Sequence, residues 1–177
     1  MATLSKHELG MGLRRLGELA VARGIEIDLI VVGGAAMVLA FGARAATKDV
    51  DVVIRAPAAT IVRQLAATLA EELGWPTDWL NDAAKGFVGQ PSAGPLLLEA
   101  PGIVAHAVSV PQLLALKLAA WRDDVDIDDA RLLLRNCLPV GSRDELWSCV
   151  ECFVPRGREQ TAWYAFLDLW EEVHGAD

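Results

Sequence analysis

The chain has 177 residues, of which 53% are apolar and 23% charged, and 24 Asp and Glu against 16 Lys and Arg leave a formal net charge of −8. That composition is globular rather than disordered, and the length suits one domain, or one with a small appendage, around a real core. The acidic balance speaks against autonomous DNA binding, which needs a basic face to neutralise phosphates, and no apolar run reaches the roughly 20 residues of a membrane span.

The first stretch, "MATLSKHELGMGLRRLGELA", lacks the ordered basic, apolar and cleavage regions of a signal peptide. Leu9, Leu13, Leu16, Leu19 and Ala20 instead fall at helical spacing over 6–23, and Gly24 supplies a stop. "IDLIVV" at 27–32 is short, β-branched and bounded by Gly33 and Gly34, which predicts a buried strand. A short helix over 35–42 and a second strand, "DVDVVI", follow, with Pro57 at its exit. Ile61, Leu65, Leu69 and Leu73 predict a helix over 58–73, stopped by Gly74 and Pro76. The mixed run "DWLNDAAKGF" reads as a loop with a short helical turn. Strands at 96–100 and 103–109 flank the turn signal Pro101-Gly102. Pro111 opens another helix, and "RDDVDIDDARLLL" leads into the next, with Asp128 and Asp129 expected in its first turn. Two further helices are expected at 143–153 and 156–174. This order predicts an α+β or α/β fold with a small central sheet.

Cys137, Cys149 and Cys152 are odd in number, which does not suggest a disulfide framework and makes a reducing cytoplasm the expected setting. The lone CxxC lacks the second tight pair of a zinc site, so core thiols are expected.

The chemistry concentrates in "VVGGAAMVLAFGARAATKDVDVVI". On a strand, Asp49 and Asp51 would project side by side, and two neighbouring carboxylates repel unless a cation or solvent intervenes. Mg²⁺ takes one or two carboxylates together with waters and phosphate oxygens. Gly33 and Gly34 supply the complementary half, because glycine lets a backbone approach a phosphate closely where a strand turns into a helix. Either half alone has an ordinary reading, a turn or a solvated strand face. Their order and spacing favour a shared metal–phosphate site.

These residues resemble the signature of the nucleotidyltransferase superfamily with the DNA polymerase β-like core, and more closely that of the small AbiEii-like nucleotidyltransferases, which include toxin halves of bacterial toxin–antitoxin systems. The resemblance covers about residues 27–135. It extends to Lys117 in "LLALKLAAW" and to Asp126 and Asp129, whose D-x-x-D spacing is similar to the family's last motif. The chain departs from the pattern in carrying Val125 where a basic residue often stands, among the crowded Asp123, Asp124 and Asp128. It also lacks a clear third carboxylate, for which Glu99 and His106 are the candidates.

The resemblance implies an α+β fold with a small mixed sheet flanked by helices, a nucleotidyltransferase core over 1–135 and a helical extension over 136–177 packed on it. It implies transfer of an NMP from an NTP to a hydroxyl acceptor on RNA or protein, with Mg²⁺ or Mn²⁺ held by Asp49 and Asp51. Gly33 and Gly34 would cradle phosphates, Arg44, Lys48 and Lys117 would contact them, and Asp126 or Asp129 would act on the acceptor hydroxyl or fix Lys117. A cognate antitoxin is the implied partner. Asn81 and Asp82 are expected near the nucleotide or as a helix cap, and the six tryptophans are expected mostly in the core. Two other readings stay open: a catalytically inactive binding or regulatory protein of the same fold, and an acidic interaction domain without nucleotide.

Overall fold

A computed structural model describes residues 3–122, 124–139 and 141–175; Asp123, one of the crowded aspartates before the last motif, lies outside them. In chain order the elements are β1 (Leu4–Ser5), α1 (Lys6–Val21), β2 (Ile27–Val31), α2 (Gly33–Leu39), β3 (Ala46–Thr47), β4 (Val50–Ala56), α3 (Ala59–Leu73), β5 (Leu80–Asn81), α4 (Lys85–Val88), β6 (Ala93–Ala100), β7 (Ile103–Val108), α5 (Val110–Ala120), α6 (Asp124–Asn136), α7 (Arg143–Val150) and α8 (Glu159–His174). A 3₁₀ turn, Glu151–Phe153, follows α7. The architecture is α+β, with a mixed five-stranded sheet, a second two-stranded sheet, flanking helices and a helical C-terminal segment. Two compact units divide the chain, Met1–Gly86 with Ala93–Val108 and Phe87–Ser92 with Ser109–Asp177. Position 135/136 falls at the end of α6, inside the second of these.

In the first unit the sheet order is β5-β4-β2-β7-β6. β2 pairs antiparallel with β4 and parallel with β7, β6 and β7 form the hairpin expected across Pro101-Gly102, and β4 pairs parallel with β5. Ile27, Leu29 and Val31 share one face with Val52, Ile103, Ala105 and Ala107, all buried. α1 covers that face. Its buried stripe is Leu9, Leu13, Leu16 and Ala20, and each leucine removed from water contributes about 1.5–3 kcal/mol. Gly17 is what allows the approach, since a Cβ there would sit 2.5 Å from Ile103 Cγ2 and 2.6 Å from the Pro101 carbonyl oxygen. Ser5 and Glu8 cap the helix reciprocally, Glu8 N–H donating to Ser5 Oγ at 3.3 Å and Ser5 N–H to Glu8 Oε2 at 2.8 Å.

The opposite face of the sheet carries Asp51, Val53, Ile30, Val104 and His106 by the same alternation. β1 and β3 form the small antiparallel sheet, with Leu4 opposite Thr47 and Ser5 opposite Ala46. That pairing fixes the segment leading into β4. In the second unit α5 packs against α6, α7 and α8, and Trp147, Trp163, Phe166 and Trp170 make successive ring contacts at 4.9–6.1 Å.

Several expectations shift. Helix α6 begins at Asp124, so Asp124 and Asp126 occupy its first turn, and Asp128 and Asp129 do not. The cysteines are not core thiols: Cys149 and Cys152 are exposed and Cys137 is half-buried. Cys137 follows the end of α6, and Cys149 and Cys152 fall on α7 and on the 3₁₀ turn, a placement that thiol chemistry alone does not specify. The loop expected at 78–87 has its short helical turn in the start of α4 and contains, besides, the strand β5. Among the described residues, no helix is long and apolar enough to cross a membrane.

Candidate active site

The site in the first unit is built where β2 stops. Val32 is still extended, and Gly33 then turns the chain into α2 with φ +61°, a conformation that costs an L side chain about 1–2 kcal/mol. Space matters as much as the turn. A Cβ on Gly33 would lie 3.3 Å from Asp51 Oδ2, and one on Gly34 would lie 2.8 Å from Thr47 Oγ1 and 3.7 Å from Arg44 Nη1. Val32 N–H donates to the Asp51 carbonyl at 2.9 Å, which ties the glycine turn to the carboxylate strand. The fold therefore brings Gly33, Gly34, Arg44 and Asp51 together.

Asp49 arrives differently from the expectation. β4 begins at Val50, so Asp49 precedes the ladder and its position does not follow from strand alternation. It is fixed by its neighbour, since Val50 N–H donates to the Trp79 carbonyl at 2.6 Å. The two carboxylates still feel each other. Burial pushes the Asp49 carboxyl above its ordinary range, repulsion from Asp51 and then Asp78 adds to this, and Lys48 pulls the other way. Lys48 itself is exposed.

Neither candidate for a third carboxylate position adjoins this pair. His106 is on β7, level with Ile30, and Glu99 is on β6 at the far edge of the sheet, so β2 separates both from β4. The carboxylate that the fold brings into the field of Asp49 is Asp78, just ahead of β5. Sequence reasoning missed it, because its approach depends on a strand of two residues. Among the described residues, no three His, Cys, Asp or Glu side chains are arranged to hold a metal ion. The donor set nonetheless fits Mg²⁺ or Mn²⁺: hard carboxylate oxygens whose mutual repulsion a cation relieves, beside a glycine turn.

Asn81 and Asp82 stand on this side of the first unit. Asn81 is level with Asp51 on the adjoining strand, and its Oδ1 accepts from Ala83 N–H at 3.2 Å. Asp82 is buried and pairs with Arg63 at 3.0 Å and Lys85 at 2.8 Å. The Lys85 hydrogen bond, against burial and with help from Arg63, holds its carboxyl below the ordinary range. Trp79, fully buried two residues before Asn81, donates Nε1–H to the Ala66 carbonyl at 3.0 Å.

Lys117, Asp126 and Asp129 come together in the second unit. α5 carries Lys117 among Leu113, Leu114 and Leu118 and leaves it 7% exposed. Its Nζ lies 2.7 Å from Asp126 Oδ1 and 2.7 Å from Asp129 Oδ2. The three-residue spacing puts both aspartates on one face of α6. Arg122 Nε reaches Asp126 Oδ2 at 3.2 Å, so a basic contact to the first aspartate exists although Val125 is apolar. Burial raises the Asp126 carboxyl, but the hydrogen bond and charge of Lys117, followed by those of Arg122, carry it below the ordinary range.

Residues 12–84 match a family model described as "Nucleotidyl transferase of unknown function (DUF2204)". The matched stretch contains both glycines, Arg44, Lys48, Asp49, Asp51 and Asn81, and ends before Lys117. It supports assignment of the chain to the nucleotidyltransferase superfamily. No curated protein and no solved structure matches the chain.

Proposed function

We propose that the chain is a cytoplasmic, Mg²⁺- or Mn²⁺-dependent nucleotidyltransferase that moves an NMP from an NTP to a hydroxyl of an RNA or protein acceptor. The resemblance to AbiEii-like proteins adds a toxin–antitoxin role with a cognate antitoxin. One observation carries the reading: the glycine turn abuts Asp51, a Cβ on Gly33 lying 3.3 Å from its Oδ2, and burial together with Asp51 disfavours the negative charge of Asp49 nearby.

In this reading residues 1–135 form the catalytic core and 136–177 a helical extension. Asp49 and Asp51 hold the metal, which when bound offsets charge on the phosphates. Gly33 and Gly34 admit the phosphate chain, and Arg44 and Lys48 contribute positive charge beside it. The acceptor oxygen bonds to the α-phosphorus as the bond to pyrophosphate breaks, and the acceptor proton passes to a carboxylate. Lys117 serves as a phosphate contact held in place by Asp126 and Asp129, the role for those aspartates that their 2.7 Å ion pairs favour.

The test is incubation with NTPs labelled at the α-phosphate and with total RNA or total protein as acceptor. Label should enter one acceptor class with the wild-type chain and not with Asp49→Asn/Asp51→Asn. Equal labelling by the double variant would exclude this metal site. A second reading, a nucleotide-binding regulatory protein without turnover, is favoured by the two-carboxylate donor set and by the commitment of the Lys117 ammonium to two aspartates. It predicts NTP binding with no labelled acceptor.

A further inference from the structure

We infer that Asn81 is a positioning residue that donates its side-chain amide hydrogens to a phosphate oxygen of the nucleoside triphosphate, an inference that rests on the site proposed above. In the parallel β4–β5 register Asn81 is paired with Asp51. Paired residues on neighbouring strands project to the same face, about 4.8 Å apart. The amide thus stands beside the carboxylate that borders the glycine turn.

Its orientation is set by a local bond. Ala83 N–H requires an acceptor, so the oxygen of the Asn81 amide is the atom turned back toward the chain. The nitrogen with its two donors is left over, and among the described residues Nδ2 has no hydrogen-bond partner. The segment around it is fixed from several sides. Trp79 is anchored through Nε1 to Ala66, Val50 N–H is bound to the Trp79 carbonyl, and Asp82 is clamped by Arg63 and Lys85. A two-residue edge strand would otherwise be free to fray; here it is a rigid mount for one amide.

The choice of residue type fits the ligand. Asp51, Asp49 and Asp78 already crowd the place with negative charge. A lysine at position 81 would compete with a cation for those carboxylates, and another carboxylate would repel phosphate. A neutral donor does neither, and it pairs with an anionic oxygen brought in together with the cation.

The experiment compares wild type, Asn81→Ala and Asn81→Asp by calorimetric titration with each NTP in Mg²⁺, and by Mn²⁺ binding without nucleotide, followed by electron paramagnetic resonance. Asn81→Asp keeps an oxygen for Ala83 N–H and replaces both donors with a charged acceptor. The inference expects NTP affinity to fall about tenfold or more in both variants, with Mn²⁺ affinity unchanged in Asn81→Ala and unchanged or tighter in Asn81→Asp. Wild-type NTP affinity in Asn81→Asp would overturn it, whatever Asn81→Ala does, because the turn and not the donors would then be what matters. Loss of Mn²⁺ binding together with NTP binding in both variants would also overturn it, assigning Asn81 to local structure. If wild type itself bound no NTP, the site reading would fail first and take this inference with it.

Discussion

Asp49, in the proposed site, works against the fold that carries it. Its carboxyl titrates above the ordinary range because of burial and then of Asp51 and Asp78. In the interval between the unfolded and the folded pKa the native state binds more protons than the unfolded one, so stability falls as pH rises through that interval. At neutral pH the ionised Asp49 is therefore a destabilising group. Asp49→Asn should raise the thermal midpoint of the metal-free protein at pH 7 and flatten the decline in stability just above the ordinary carboxylate range; an unchanged or lower midpoint would contradict this. The same variant should lose the midpoint increase that wild type shows on adding Mn²⁺. The meeting of the glycine turn with Asp51 was legible in sequence from residue types and spacing, whereas the place of Asp49, ahead of the β4 ladder, was not. Asp78 was not, since nothing local to "PTDWLN" says which carboxylate it will face.

At the level of elements, the helices were legible because apolar spacing of three and four residues is a physical requirement of burying one stripe. The strands of two residues, β1, β3 and β5, were not, because pairing across distant sequence and not local pattern creates them. Helix α1 carries a sharper test. Alanine ordinarily favours a helix over glycine by about 1 kcal/mol, yet Gly17→Ala would drive a methyl group to 2.5 Å from Ile103 Cγ2. It should destabilise the chain by about 1–3 kcal/mol in urea denaturation, and stabilisation would show that α1 does not seat on the β6–β7 turn. Between α5 and α6, the resemblance singled out Lys117, Asp126 and Asp129, which the fold joins by ion pairs, while the start of α6 two residues before Asp126 was not legible. Lys117→Met leaves Asp126 and Asp129 buried against each other, and should cost about 3–5 kcal/mol. Adding Asp129→Asn to that variant should recover part of the loss. A neutral Lys117→Met would mean that the ion pairs contribute nothing to the fold.

For the whole molecule, composition and charge set boundaries without naming a reaction: 24 acidic against 16 basic side chains give a protein whose anion-binding chemistry must be local. The family match at 12–84 falls within the first unit, where the carboxylates and the glycine turn are found. Fold class was legible from the order of the elements, whereas the division into two units was not, because Phe87–Ser92 joins the second unit out of sequence order through Gln112. That side chain donates to the Val88 and Gln90 carbonyls and accepts from Ser92 N–H. The most direct test of the central claim, that Asp49, Asp51 and the adjoining glycine turn form a metal-dependent nucleotide site, is titration of the full chain with each NTP, with and without Mg²⁺, beside Asp49→Asn/Asp51→Asn. The account predicts binding by the wild-type chain that requires Mg²⁺ and that the double variant loses. Binding that is indifferent to Mg²⁺ or to both substitutions, or no binding to any NTP, would contradict it.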